Sequence, residues 1–201
     1  MNGQFFDALL NIKTGENQKG FISSLHYHRY EPTPYSALEQ LFQQYELRRS
    51  DRVVDFGCGK GRLIFYMHYL FHATVIGVEM NESLFQEAME NKKRFSKINK
   101  NSDDKIHFLC CLAEEYQIDP LDNRFYFFNP FTIEIFRKII SNILLSWEKS
   151  VREIELVLYY PSADYIYFLE NETSFTLKEE FLLKDLYEHN QNERFLIYRL
   201  L

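Results

Sequence analysis

The stretch Arg52-Val53-Val54-Asp55-Phe56-Gly57-Cys58-Gly59-Lys60-Gly61-Arg62 decides how this chain is read. Val53, Val54 and Phe56 are β-branched or aromatic and suit a buried strand. Three glycines follow at once, and the apolar run from Leu63 to Phe71 fits a helix. Strand, glycine turn and helix together let backbone approach a ligand with no side chains in the way. The first N–H groups of the helix would then face that ligand and favour anionic or polar oxygens. The stretch therefore predicts a turn that binds a nucleotide or a nucleoside.

Outward from this turn, strand and helix patterns alternate. Upstream, Thr33 can cap a helix with Pro34 at its first position, and Leu38, Leu41, Phe42 and Tyr45 recur at helical spacing. Downstream, residues 74–79 read as a second strand, continuously apolar as in a parallel sheet covered on both faces. A helix is predicted over 82–98, and strands over 106–112 and 125–128. In the third of these strands Cys110 and Cys111 would face opposite sides. A helix over 133–147 carries Ile133, Phe136, Ile139, Ile140, Ile143 and Trp147 on one side. A strand over 154–160 stops at Pro161, a short helix follows over 164–169, and two closing strands, 175–183 and 195–200, can pair antiparallel. With no repeat or domain boundary visible, the alternation predicts one α/β domain over 1–201. Its core, 51–201, would be a doubly wound, mostly parallel seven-stranded sheet, preceded by a helical leader over 1–50.

The leader itself is mixed and polar over residues 1–30, with Asn-Gly, Thr-Gly and Lys-Gly pairs that suggest turns. His26, Tyr27, His28, Arg29 and Tyr30 crowd together just before Pro32 and Pro34. Two readings stay open: the leader packs across the domain, or it closes over a ligand with Tyr30, Glu31, Thr33 and Tyr35 as contacts.

Composition excludes several classes. Apolar residues at 46% and charged residues at 26% are ordinary for a globular protein. The 19 Phe and 14 Tyr are many; an aromatic-lined pocket would use them, and a tightly packed core accounts for them better. With 23 basic against 29 acidic residues, no global positive field draws the chain to nucleic acid or to anionic membrane. Lys92, Lys93, Arg94, Lys97 and Lys100 complement the end of a helix. Cys58, Cys110 and Cys111 form neither a disulfide framework nor a metal-ligand pattern, so no metal is expected and a reducing, cytoplasmic setting fits. Neither an export signal nor a membrane span is expected, since no apolar run reaches about 18 residues.

Glu79 ends the second strand, 24 residues beyond Asp55. In doubly wound folds those two strand ends lie side by side at the ligand crevice, where an acid can accept hydrogen bonds from both hydroxyls of a ribose. The glycines run Gly57-x-Gly59-x-Gly61 rather than G-x-G-x-x-G, which speaks against a pyrophosphate seat and against a nicotinamide-dependent reductase. Val-Val-Asp-Phe-Gly-Cys-Gly-Lys-Gly-Arg together with Val-Ile-Gly-Val-Glu resembles the first two motifs of class I S-adenosylmethionine-dependent methyltransferases. The resemblance covers about residues 30 to 200 in order of elements.

That resemblance implies a Rossmann-like fold and S-adenosylmethionine as cofactor. Backbone at Gly57, Cys58 and Gly59, with Gly61 completing the turn, would lie against the methionine end. Asp55 would orient the loop or hold the methionine amino group, Glu79 the ribose hydroxyls, and Met80 the adenine. The family often places Asp at the end of the third strand. Here Leu112 stands there, which leaves Ala113 or Glu114 for the adenine amino group. Asn129-Pro130-Phe131 resembles a shortened form of the Asn/Asp-Pro-Pro-aromatic motif of enzymes that methylate amino nitrogens. Asn129 and Pro130 would then orient the acceptor while Phe131 stacks on it, with Tyr30 and Tyr35 as further substrate contacts. The alternative, that Asn129 and Pro130 only turn the chain from strand to helix, stays open.

The expected activity is methyl transfer to an N or O nucleophile by in-line displacement, without a metal. The alternative is a non-catalytic S-adenosylmethionine-binding sensor or partner subunit. The absence of a basic stripe favours a small molecule or a protein side chain over a long nucleic acid as substrate.

Overall fold

The computed structural model describes residues 3–15, 30–100, 102, 104–184 and 186–201. His26, Tyr27, His28 and Arg29 lie outside them. The chain runs α1 (Gly3–Leu9), α2 (Tyr35–Phe42), β1 (Arg52–Phe56), α3 (Arg62–Phe71), β2 (Thr74–Val78), α4 (Glu82–Ser96) and β3 (Ile106–Leu109). A 3-10 turn (Ala113–Glu115) leads to β4 (Arg124–Phe127), α5 (Ile133–Lys149), β5 (Ile154–Tyr159) and α6 (Ala163–Glu172). The chain closes with β6 (Thr176–Leu182) and β7 (Arg194–Leu200).

The strands form one seven-stranded sheet in the order β3-β2-β1-β4-β5-β7-β6. The first five are parallel, and β7 runs antiparallel to both β5 and β6. This is the doubly wound architecture that the alternation of elements predicts. Strand periodicity divides the side chains between two cores. Val53 and Val75 join Leu38, Leu41, Phe65 and Phe95 on one face. Val54 and Ile76 join Phe136, Ile139, Ile140 and Ile143 of α5 on the other. With both faces covered, all four residues of β4 are buried, as a central parallel strand requires.

Three local expectations change. The third strand ends at Leu109, so Cys110 and Cys111 follow it and do not alternate across it. Pro34, not Thr33, stands at the cap of α2. Thr33 Oγ1 instead shares a 2.9 Å hydrogen bond with the Tyr126 hydroxyl. The leader contains α1, whose Phe6 stacks on Tyr35 at 4.7 Å between ring centres. The segment after it is tied to α4 by a reciprocal pair: Lys13 N donates to Asn91 Oδ1 at 2.9 Å, and Asn91 Nδ2 donates to Lys13 O at 3.0 Å.

Candidate active site

Strand register builds the site. Phe56 pairs with both Val78 and Phe127, and Phe127 pairs with Leu158, so Gly57, Glu79, Phe128 and Tyr159 emerge along one edge of the sheet. Because β7 is antiparallel, the Tyr159–Phe195 pair brings Glu193 to the same edge. A crevice of about 410 Å³ opens there. It lies where the strand order reverses between β1 and β4, the usual place for a ligand in such sheets.

The glycine turn is rigid and tightly covered. Gly57 has φ 82° and Gly59 φ 54°, conformations that cost a side-chain-bearing residue energy. A Cβ at Gly57 would lie 3.0 Å from Pro130 Cβ, and one at Gly59 would lie 2.1 Å from the Tyr30 ring. The N–H groups of Gly57 and Cys58 both donate to Val78 O, at 2.9 and 3.1 Å, and that of Gly61 donates to Cys58 O at 2.9 Å. Gly59 N donates to Glu79 Oε2 at 2.9 Å. These donors are taken within the protein, so the turn is not the anion cradle that a strand, glycine turn and helix alone would suggest. It offers a close backbone surface to a ligand that lacks a pyrophosphate.

Two acids line the crevice. Asp55 is buried, and desolvation, with the Glu79 charge beside it, pushes its carboxyl up to about 8. Burial also raises Glu79, against the lowering effect of backbone N–H groups from Asn81, Gly59 and Met80. Cys58 is buried too, which drives its thiol well above the ordinary value and leaves it a poor nucleophile.

The expected site residues separate on inspection. Asp55, Gly57, Cys58, Glu79, Met80 and Ala113 line the crevice from the β1–β2 side. Asn129, Pro130 and Phe131 line it from β4, and Tyr30 from the leader. Gly59, Gly61 and Glu114 do not line it. Gly61 is a packing glycine, since a Cβ there would meet Phe108 and Phe65. Glu114 O accepts from Asn142 Nδ2 at 2.9 Å, which directs this residue to α5.

Tyr35 is not a crevice residue. The start of α2 turns it into the core, where it is 2% exposed and its hydroxyl donates to Asp7 Oδ1 at 2.8 Å. The Arg62 guanidinium covers its ring at 4.7 Å. Arg62 also donates to Thr14 Oγ1 at 2.8 Å and Thr33 O at 3.2 Å, and Lys60 pairs with Glu87 at 2.8 Å. Neither cation is a solvated helix-start charge; Arg62 fastens the leader to α3. Phe131 is also 2% exposed, and its O accepts from the Tyr165 hydroxyl at 2.7 Å. The ring backs Gly57 and is no open platform for a planar substrate.

Phe128, Tyr159, Tyr160 and Glu193 also line the crevice and escaped the sequence reading. The strand-end position of Tyr159 and Tyr160 before Pro161 was a usable signal for two of them. Glu193 had none, because only the antiparallel register of β7 brings it in.

Comparison with known proteins agrees with this fold. Residues 33–118 match a family described as methyltransferase domain. A protein-lysine N-methyltransferase of Saccharolobus islandicus is 33% identical over 63 residues, 31% of this chain and 39% of its own. The chain thus spans well under half the length of that curated relative. Among solved structures, an RNA methyltransferase from Salinibacter ruber in complex with S-adenosyl-L-homocysteine matches with a TM-score of 0.57 and 15% identity, over 84% of this chain and 92% of its own. A human methyltransferase 10 domain containing protein matches with a TM-score of 0.58 and 14% identity, over 85% and 84% of the two chains. Fold, crevice and domain match define the class: a Rossmann-like methyltransferase fold. The sheet is that of the S-adenosylmethionine-dependent methyltransferases, and the domain match covers residues 33–118.

Proposed function

We propose that this protein transfers a methyl group from S-adenosylmethionine to a nitrogen nucleophile on a small molecule or a protein. The observation that carries the reading is contact between the two halves of the site: Pro130, beside Asn129, packs directly on Gly57 of the cofactor turn. The acceptor motif and the cofactor seat are therefore one wall. A nitrogen acceptor also agrees with the curated relative, a protein-lysine N-methyltransferase.

The residues present fit the cofactor. The Glu79 carboxylate accepts backbone N–H groups, Oε2 from Gly59 at 2.9 Å and Oε1 from Asn81 at 2.8 Å, with Met80 N–H also on it, which fixes the carboxylate and leaves a lone pair for a ribose hydroxyl. Asp55 is a buried acid in the crevice on which, among the described residues, no basic side chain sits, and it suits a cationic amino group. Met80 and Ala113 offer apolar surface to an adenine ring. S-adenosylmethionine, when bound, supplies an electrophilic methyl carbon on a sulfonium. The protein's part is alignment, and we assign the orienting of the acceptor to Asn129, a reading supported by its position in the crevice and its φ of 39°. No helix among the described residues is long and apolar enough to cross a membrane. Cys58, Cys110 and Cys111 are free thiols, as a reducing compartment allows, and we assign the reaction to the cytoplasm.

Calorimetry with S-adenosylmethionine and S-adenosylhomocysteine tests the proposal. Both are expected to bind at one site, and absence of binding by either would end it. Binding without turnover on any cell fraction would make the protein a sensor instead.

A further inference from the structure

Beyond Asn129 the crevice is walled by three aromatic rings and two carboxylates. Phe128 and Tyr159 lie 4.5 Å apart between ring centres at 47°, Phe128 and Tyr160 6.4 Å at 66°, and Tyr159 and Tyr160 6.3 Å at 70°. No two of these rings are parallel, so they form no slot for a flat base. Mutually tilted ring faces suit a compact cation.

Tyr160 is held in a conformation that a tyrosine rarely adopts, φ 51°. Its N–H donates to Arg194 O at 3.1 Å, and its hydroxyl accepts from Asn190 Nδ2 at 2.7 Å. Backbone strain of this kind persists where the surroundings enforce a side-chain position, often at a binding site.

Glu193 accepts the Tyr159 hydroxyl at 2.7 Å through one oxygen. Glu31 lies close enough to Tyr159 that its charge, after burial and Glu193, helps push the phenol up. Among the described residues no lysine or arginine pairs with either acid. The nearby Arg194 is engaged with Glu180 at 2.7 Å.

Resting on the methyltransferase reading above, we infer that this wall seats the acceptor as a primary aliphatic amine, either a lysine side chain or a free polyamine. The amine arrives as an ammonium, drawn by Glu31 and Glu193 and faced by the half-buried rings of Phe128 and Tyr160, while Tyr159, stacked on Phe195 at 4.7 Å, holds Glu193 in place. It gives one proton to water. Its nitrogen lone pair then forms the bond to the methyl carbon while the carbon–sulfur pair withdraws onto sulfur. The products are a methylammonium and a neutral thioether.

The test incubates the full chain and methyl-labelled S-adenosylmethionine with poly-L-lysine, spermidine or total tRNA, alongside calorimetry of cofactor binding. Label is expected in an amine and not in tRNA. Label in poly-L-lysine assigns a protein source, and label in spermidine a free polyamine. Glu193→Gln, which keeps an acceptor for the Tyr159 hydroxyl, and Tyr160→Ala should each raise KM for the amine about tenfold. Cofactor Kd should stay within about twofold, which also reports that the variants fold. Cofactor binding without label in either amine overturns the inference, as does label in tRNA or an unchanged KM in both variants. Failure of the cofactor to bind would instead remove the reading on which it rests.

Discussion

The two ends of the sheet carry the same kind of buried acid and treat it in opposite ways. At the amino ends of the strands, Asp51, Asp122 and Glu155 are all buried and all partnered. Arg124 lies 3.3 Å from Glu155 and 3.8 Å from Asp51, and Arg52 lies 3.0 Å from Asp122. Lys178 and the Tyr45 hydroxyl each reach Glu155 at 2.8 Å. Burial pushes Glu155 up, but the Lys178 bond and the Arg124 charge outweigh it and hold the carboxyl below its ordinary value. At the carboxyl ends, Asp55 and Glu79 are as deeply buried, face a crevice, and are both raised. Where an acid holds the fold together, the fold supplies the counter-charge. Where a ligand belongs, it leaves the acid for the ligand.

The largest expected effect lies at the structural end. Arg124→Ala strips the cation from Asp51 and Glu155 and should cost about 3 kcal/mol or more in urea denaturation, the usual result of halving a buried ion network. A loss under about 1 kcal/mol would break the contrast between the two ends.

Next comes the ligand end. Glu79→Ala should weaken S-adenosylmethionine binding about tenfold to a hundredfold, the worth of charge-assisted hydrogen bonds, as read by calorimetry. Unchanged affinity would refute the ribose assignment.

A smaller effect is expected in the turn between them. Gly59→Ala must hold a φ of 54° and displace the Tyr30 ring, so a loss of about 1–2 kcal/mol is expected in thermal unfolding. Gly15→Ala is the control, with nothing within 4 Å of its added Cβ, and should change stability by less than about 0.5 kcal/mol.

The last effect is a slope with pH. Asp55 keeps its proton in the folded protein up to about 8, whereas unfolded it would release it near 3.8. Its contribution to stability is therefore full below that lower value and lost as pH rises through about 8. Asp55→Asn should flatten this decline in a pH series of urea midpoints. A steeper decline in the variant would reverse the sign of the argument.

Much of the fold was legible in the chain, for reasons visible at particular residues. Val53, Val54, Val75 and Ile76 announce strands buried on both faces, and the spacing of Phe136, Ile139, Ile140 and Ile143 announces the helix that covers one of them. The third strand was overrun because apolar character continues past Leu109 after the ladder with β2 has ended at Val78. The leader was expected to be helical, but its first helix, Gly3–Leu9, was not placed, because the Asn-Gly and Thr-Gly pairs around it favour turns locally, while the packing of Phe6 on Tyr35 is a contact between segments far apart in sequence.

The candidate site divides in the same way. Gly57 and Glu79 reach the crevice because each follows directly on a parallel strand, and Asn129 because it comes two residues after one; a strand's end is a local property of sequence. Tyr35 has the same aromatic chemistry as Tyr30 and Phe128, yet it is packed into the core while they line the crevice; Phe131 lines it too, but with its ring 2% exposed. Sequence alone determined the glycine turn and its acidic partner, because positive φ demands glycine and a strand end needs only its own residues. Which aromatic rings and which carboxylates line the proposed acceptor side was decided only in three dimensions. The antiparallel register of β7 against β5 places Glu193 beside Tyr159, and no spacing along the chain encodes that contact.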